Sequence, residues 1–304
     1  MRKPNVWFYI RFLGPALLIY GVFFVYPTLL SFKICAYKWS GYNINNMEFV
    51  GLENLIEVLH DSLFLRSLIN NLLIIVGGGV ALFSLALFFA AVLTRRQDKG
   101  AIEIKGANFF ETIIFFPYTI SAVVVGILWG LIFAPRFGAL NGFLRWINLD
   151  FLTRSWLGER ITAIPAITFV VIWSVIGFYF VLFSAGIKQI PKEYYESAKI
   201  DGANEGILFW NITLPLLKEV ISVTVMFWVI FTLKLFSQIW AMYSGHIPAE
   251  NHTILTYLFS VAIGEQNAVQ RLGYGTAIGV VLFIIVMIFS ILYGKLTSKE
   301  VTEY

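Results

Sequence analysis

The stretch Ile161–Ile187, ITAIPAITFVVIWSVIGFYFVLFSAGI, runs from end to end without a charged residue. About 20 apolar residues in a helix cross the roughly 30 Å of a bilayer's hydrocarbon, and this stretch is longer than that. A strand reading fails here. Membrane barrels are built from segments of about 10 residues that alternate in polarity, whereas apolar residues here fall on every face. The segment is therefore a membrane-spanning helix, and the rest of the chain must be read in the same solvent.

Working outward, the 304-residue chain is 59% hydrophobic and 13% charged, with a mean hydropathy of +0.78. Soluble domains average about 45–50% apolar and about 25% charged residues, so the departure is double. Apolar runs bounded by charges occur at Phe12–Ser31, Leu68–Leu93, Thr112–Ala134, Ile161–Ile187, Val220–Tyr243 and Tyr274–Gly294. These predict an all-α polytopic membrane protein, a single domain of six transmembrane helices. Its one inner loop long enough to fold is Lys188–Glu219.

Six spans leave both termini on one side. With the termini inside, the larger share of the 22 Lys and Arg is cytoplasmic, among them Arg2, Lys3, Arg95, Arg96 and Lys99. Positive charge collects on the cytoplasmic side, so cytoplasmic termini are expected even though Arg136, Arg145, Arg154 and Arg160 lie on the other. The first span follows basic residues as a signal peptide does. It is longer than a signal h-region and lacks a small-x-small cleavage site, which predicts a retained helix. A net charge of +4 without a long basic run excludes nucleic acid as a partner, and the lone Cys35 can form no internal disulfide. The outer loops carry Trp39, Tyr42, Trp146 and Trp156, which suit an interfacial belt or a docking surface.

Within these boundaries no Asp, Glu or His enters a span, which argues against ion coupling by side chains. The three histidines, His60, His246 and His252, fall in outer loops without metal-ligand spacing, so no metal is expected. No G-x-S-x-G elbow and no P-loop occurs, leaving no catalytic residues. Gly77-Gly78-Gly79 reads as close helix approach or a kink, and Gly126/Gly130 and Gly275/Gly279 as packing sites. The one charge inside a span is Lys234. A lysine at mid-membrane costs roughly 2.5–3.5 kcal/mol on insertion scales, so it must face protein or water. Two readings stay open: a snorkelling or capping lysine, or a donor in a cavity beside Trp228, Thr232, Ser237 and Gln238.

The inner loop reads Ile190-Pro191-Lys192-Glu193-Tyr194-Tyr195-Glu196-Ser197-Ala198-Lys199-Ile200-Asp201-Gly202-Ala203 and continues through Ile212-Thr213-Leu214-Pro215. Pro191 suits a first helical turn, Gly202 a break with positive φ, and Pro215 a new helix start. The expectation is a helix, a turn and a second helix, with a bulky side chain at position 202 clashing inside the turn. A surface helix lying on headgroups fits the composition alone. These residues resemble the EAA-x3-G-x9-I-x-LP signature of the permease subunits of bacterial ATP-binding-cassette importers. Glu196, Ala198, Gly202, Ile212, Leu214 and Pro215 match it, and Ser197 replaces the middle alanine. Pro15 and Pro27, Phe49-Val50-Gly51-Leu52-Glu53-Asn54, Phe116-Pro117-Tyr118 and Phe137-Gly138-Ala139-Leu140-Asn141 extend the likeness to the carbohydrate branch. Within that branch it is similar to the first permease of the maltose and glycerol-3-phosphate type. Ser244-Gly245-His246-Ile247-Pro248 departs from the T-G-G-G-P of relatives.

The resemblance implies a subunit of the bacterial inner membrane that pairs with a second, homologous permease. Two cytoplasmic ATPases would bind ATP and Mg, leaving no cofactor on this chain, and an extracytoplasmic solute-binding protein would deliver a sugar. By that similarity Glu196, Ser197, Ala198, Asp201, Gly202 and Ala203 couple to an ATPase. The sugar-binding positions carry over to Val171, Ser174, Val175, Phe178, Trp228, Phe231 and Thr232, with Lys234 beside them. Rival readings are an importer for a polyol or an anionic solute such as glycerol 3-phosphate or an acidic oligosaccharide, a secondary transporter, and a membrane enzyme.

Overall fold

A computed structural model describes residues 6–94, 107–264 and 270–298. Arg2, Lys3, Arg95, Arg96 and Lys99, on which part of the orientation argument rests, lie outside the described residues. Four helices are long and apolar enough to cross a membrane: Trp7–Ile34, Ser62–Leu93, Arg160–Gln189 and Leu272–Thr297. Two helix pairs are apolar enough only when taken together and are bent at a break, Phe109–Thr119 with Ala122–Ile132 and Glu205–Leu216 with Lys218–Leu233; counting each pair as one span gives six. The chain divides into two compact units, residues 1–65 with 257–288 and residues 66–256 with 289–304.

In the first unit the Trp7–Ile34 helix has no buried residue in its apolar window, and Pro15 and Pro27 fall within its length. A short antiparallel hairpin follows, Tyr37–Lys38 against Glu48–Phe49, with Tyr37 opposite Phe49. Buried Asn54 fastens the next helix to it by donating Nδ2 to the Cys35 and Tyr37 carbonyls, at 2.9 and 3.0 Å. Gly273 opens the last span against the same turn. A Cβ there would stand 1.9 Å from the Tyr37 carbonyl oxygen, so only glycine fits. The Tyr257 and Tyr274 hydroxyls both donate to Asp61 Oδ2, the second at 2.5 Å. Burial opposes the Asp61 charge, yet these hydroxyls and the Leu63 and Phe64 amides outweigh it and hold the carboxyl below its ordinary range.

The second unit is built around Arg160–Gln189. Ile167, Val170, Val171, Val175 and Phe183 on that helix join Ile74, Leu82, Ala86 and Ala90 in one core. Trp228 completes it, and here the glycine triplet has its reason. A Cβ on Gly78 or Gly79 would meet the Trp228 ring at 3.0 or 2.9 Å, so the indole lies flush on bare backbone and donates Nε1–H to Ile75 O at 2.9 Å.

The third and fifth spans differ from the continuous helices expected at Thr112–Ala134 and Val220–Tyr243. The third bends by 95° after Pro117, where the chain is extended at Ile120 and Ser121. Its outer arm carries Gly126 and Gly130, whose absent side chains let the short Ser237–Met242 helix cross. A Cβ at either would lie 2.4 or 2.6 Å from the Gln238 or Met242 carbonyl oxygen. Its first arm begins before Thr112, so half-buried Glu111 lies within that helix, one residue ahead of the expected boundary. The fifth helix stops at Leu233. Lys234 caps it and is exposed on this chain, the capping reading of the two left open by the sequence. The helix Ile254–Ile263, in what was read as an outer loop, was not anticipated.

Candidate functional site

The inner loop folds as a knob. Lys192–Ile200 is helical, and its end is closed by two backbone bonds, Gly202 N–H to Lys199 O at 3.0 Å and Ala203 N–H to Ala198 O at 2.9 Å. This is the Schellman arrangement, and it needs the positive φ of +84° that Gly202 adopts. Asn204 then starts the next helix by accepting the Ile207 amide on Oδ1 at 3.0 Å. The Tyr195 hydroxyl meets Thr213 Oγ1 at 3.0 Å and locks the two helices together. The residues Asp201-Gly202-Ala203-Asn204 are therefore stop, turn and restart in four positions.

This turn displays its side chains outward among the described residues. Glu196, Ser197, Asp201 and Gly202 are exposed, Ala198 and Ala203 are half-buried, and Ile200 is 86% exposed. Nothing lies within 4 Å of where a Gly202 Cβ would stand, so the clash expected inside the turn is absent. The cost of a side chain there is backbone strain alone. A groove of about 710 Å³ opens beside the knob, lined by Leu87, Ala91, Tyr195, Leu208 and Trp210.

The carried-over sugar positions divide into two groups. Val171, Ser174 and Val175 are buried in the core, and the Ser174 hydroxyl is already committed to Val171 O at 2.8 Å. Trp228 is 1% exposed, with its only donor used. Thr232 is fully buried too, and its Oγ1 has no hydrogen-bond partner among the described residues. A buried hydroxyl left so costs about 1–3 kcal/mol, which another helix arrangement or a bound hydroxyl would relieve. Phe178 and Phe231 are different. Phe178 stacks on Tyr118, centroids 5.3 Å apart and planes at 24°, and meets Phe227 at 6.3 Å. Tyr118, Phe227 and Phe231 are each more than a third exposed, giving a wall of aromatic faces open to whatever lies beside this chain.

Sequence reasoning missed Tyr118 and Phe227 as members of that wall, although Tyr118 stood in a quoted motif. It also missed a buried lattice of asparagines. Asn71 donates to Thr232 O at 2.7 Å and accepts the Ile254 amide at 2.9 Å. Asn70 donates to Glu250 O and His252 O and accepts Arg160 Nε–H at 2.8 Å. Asn251 donates to Leu157 O and to the Tyr243 hydroxyl, both at 3.1 Å. His252, in the loop that follows Ala249–Asn251, is buried here. Two adjacent asparagines in an apolar run were the available signal, since polar groups in hydrocarbon persist only when paired. The larger groove of about 1340 Å³, between Ser62–Leu93 and Arg160–Gln189, is lined chiefly by apolar side chains and suits hydrocarbon rather than hydroxyls.

An apolar multi-helix chain with a helical knob has the architecture of a polytopic membrane protein. The family model "Binding-protein-dependent transport system inner membrane component" matches residues 101–300, and the chain belongs to that family. It is a multi-pass component of a membrane. It is 37% identical over 292 residues to the diacetylchitobiose uptake system permease protein NgcF of Streptomyces coelicolor, covering 95% of this chain and 81% of that one. To the arabinooligosaccharides transport system permease protein AraP of Bacillus subtilis it is 30% identical, covering 95% and 88%. In fold it is similar to a chain of a bacterial ABC transporter involved in the import of the acidic polysaccharide alginate. That match has a TM-score of 0.77 and 22% identity and covers 97% and 96% of the two chains.

Proposed function

We propose that this chain forms half of the translocation pathway of an ATP-driven importer of a sugar or oligosaccharide, and that it performs no chemistry itself. The observation that carries the reading is the knob: a rigid, Schellman-capped turn whose Glu196, Asp201 and Ile200 reach out from the chain with nothing of its own against them. Glu196, Ser197, Ala198, Asp201, Gly202 and Ala203 seat in a cleft of a cytoplasmic ATPase, which alone binds ATP and Mg. Closure of the ATPase pair then moves the knob as a rigid body, and the helices continuous with it rock. A second permease supplies the other half of the pathway, and an extracytoplasmic binding protein delivers the solute. Both termini are cytoplasmic.

The solute passes along the aromatic wall. Phe178, Phe231, Tyr118 and Phe227 present flat apolar faces, the surface on which the C–H face of a sugar ring stacks. Thr232 offers a hydroxyl once the helices part, while Val171, Ser174, Val175 and Trp228 support the wall from behind. The names of the relatives, with diacetylchitobiose and arabinooligosaccharides, favour a saccharide. A second reading, an anionic saccharide, is favoured by the exposed ammonium of Lys234 at the end of the helix that carries Phe231. The test is ATP hydrolysis by the reconstituted complex across neutral and uronic-acid oligosaccharides, each with the cognate binding protein. Stimulation by one saccharide class supports the reading. Solute uptake by the two permeases without any ATPase would contradict it in favour of a secondary transporter.

A further inference from the structure

Between the Ala122–Ile132 and Arg160–Gln189 helices the chain builds a platform outside the spans. Buried Asn141 holds it together: Nδ2 donates to Pro135 O and Arg154 O at 3.1 and 2.9 Å, and Oδ1 accepts the Trp156 indole N–H at 2.8 Å. Gly138 lets the turn close, since a Cβ there would lie 2.3 Å from the Ala134 carbonyl oxygen. On this base sits the amphipathic helix Ala139–Trp146. Its Leu144 is buried, while Phe143, Trp146 and the following Ile147 share the opposite face at i, i+3 and i+4 spacing.

That outward face is strongly apolar. Trp146 is 78% exposed, and Phe137 and Phe151 nearby are 77% and 76% exposed. A rigid loop does not hold so many large rings in bulk water without a partner. Two observations say what covers them. The platform begins and ends on apolar spanning helices, so it stands at the boundary of the hydrocarbon. Between Pro135 and Gly158 the charges are Arg136, Arg145 and Arg154 against a single carboxylate, Asp150. Arg145 spends only two long bonds on its own chain, to Arg136 O and Pro135 O at 3.3 and 3.4 Å, which leaves guanidinium donors free.

We propose that this platform is seated in the outer leaflet of the bilayer, with Phe143, Trp146 and Phe137 among the upper acyl chains and Arg136 and Arg145 on the phosphates of anionic phospholipid headgroups. Aromatic side chains with arginines beside them are the composition that favours the membrane interface. The anchor fixes the outer ends of the third and fourth spans while their inner ends move. It does not depend on which solute is carried.

The test uses the full chain, with Cys35→Ser and Trp146→Cys, assembled with its partner permease and ATPases in vesicles of phosphatidylethanolamine with added phosphatidylglycerol. An environment-sensitive fluorophore on the cysteine should emit blue-shifted and lose intensity when lipids carrying a doxyl group near the ester end are included. Aqueous iodide should leave it unquenched. Phe151→Cys reports independently from the other end of the platform. Arg136→Gln with Arg145→Gln should abolish the dependence of that quenching on phosphatidylglycerol. Protection from both quenchers would mean that the second permease covers the face and would overturn the proposal. Iodide quenching relieved by the solute-binding protein would overturn it in favour of a protein-docking surface. Lipid quenching indifferent to phosphatidylglycerol and to both arginines would overturn the headgroup contact.

Discussion

Glu196, Asp201 and Gly202 stand exposed on the knob among the described residues, whereas Val171, Ser174, Trp228 and Thr232 are closed into the core. Both sets came from one resemblance, yet their settings differ. A motif whose side chains point away from a rigid turn is kept for another molecule. A set of positions whose atoms are already in contact is occupied by packing, whereas Phe231 is exposed and half-buried Phe178 stacks on exposed Tyr118. Proximity to a pathway in an aligned relative is therefore weaker than exposure combined with a rigid support.

The largest expected effect tests the knob. Gly202→Val costs roughly 1–2 kcal/mol in backbone strain, too little to unfold the chain, and meets no neighbour within it. Together with Glu196→Lys it should reduce uptake to background while membrane levels stay normal, as measured by transport and immunoblot. Normal uptake by either assembled variant would remove the knob from one side of the comparison. Next comes Trp228→Ala, which empties a filled site on Gly78 and Gly79 and removes the indole hydrogen bond to Ile75 O. A loss of roughly 3–5 kcal/mol should appear as a lower melting temperature in detergent. An unchanged melt with an altered sugar preference would return Trp228 to the solute-binding set.

A smaller effect belongs to the wall. Phe178→Ala or Tyr118→Ala removes one stacked face worth about 1–1.5 kcal/mol, so KM for the sugar should rise about tenfold or less with the melting temperature nearly unchanged. The reverse pattern would make the wall ordinary packing. The smallest concerns Asp61, whose carboxyl is held below its ordinary range. A depressed folded-state value stabilises the protein above the unfolded carboxylate range and loses that contribution as pH falls through the folded one. Melting temperature should therefore drop in acid at and below the usual carboxylate range, and Asp61→Asn should flatten the drop. An identical acid profile in the variant would show that Tyr257 and Tyr274 do not stabilise the charge.

Much of the fold was legible because hydrocarbon imposes a length and a composition that Phe12–Ser31, Leu68–Leu93, Ile161–Ile187 and Tyr274–Gly294 display openly. The broken crossings were not. Pro117 marks a missing backbone donor, but whether a helix kinks mildly or turns through 95° depends on what packs against its far arm, here Ser237–Met242 on Gly126 and Gly130. The end of the fifth helix was hidden for a similar reason: an apolar run continues through Leu235 and Phe236 although the helix stops at Leu233. The turn at Gly202 was legible because the Schellman cap needs one residue type at one position. The asparagine lattice was not, because its bonds join residues such as Asn71 and Ile254 that no local pattern connects.

The central claim is that the knob is a contact surface for an ATPase, and Ile200, its most exposed apolar residue, tests it most directly. In the Cys35→Ser background, Ile200→Cys should react rapidly with a membrane-impermeant maleimide in inside-out vesicles containing the permeases alone. Assembly with the ATPases should slow that reaction strongly. Equal reactivity at position 200 with and without the ATPases would contradict the account.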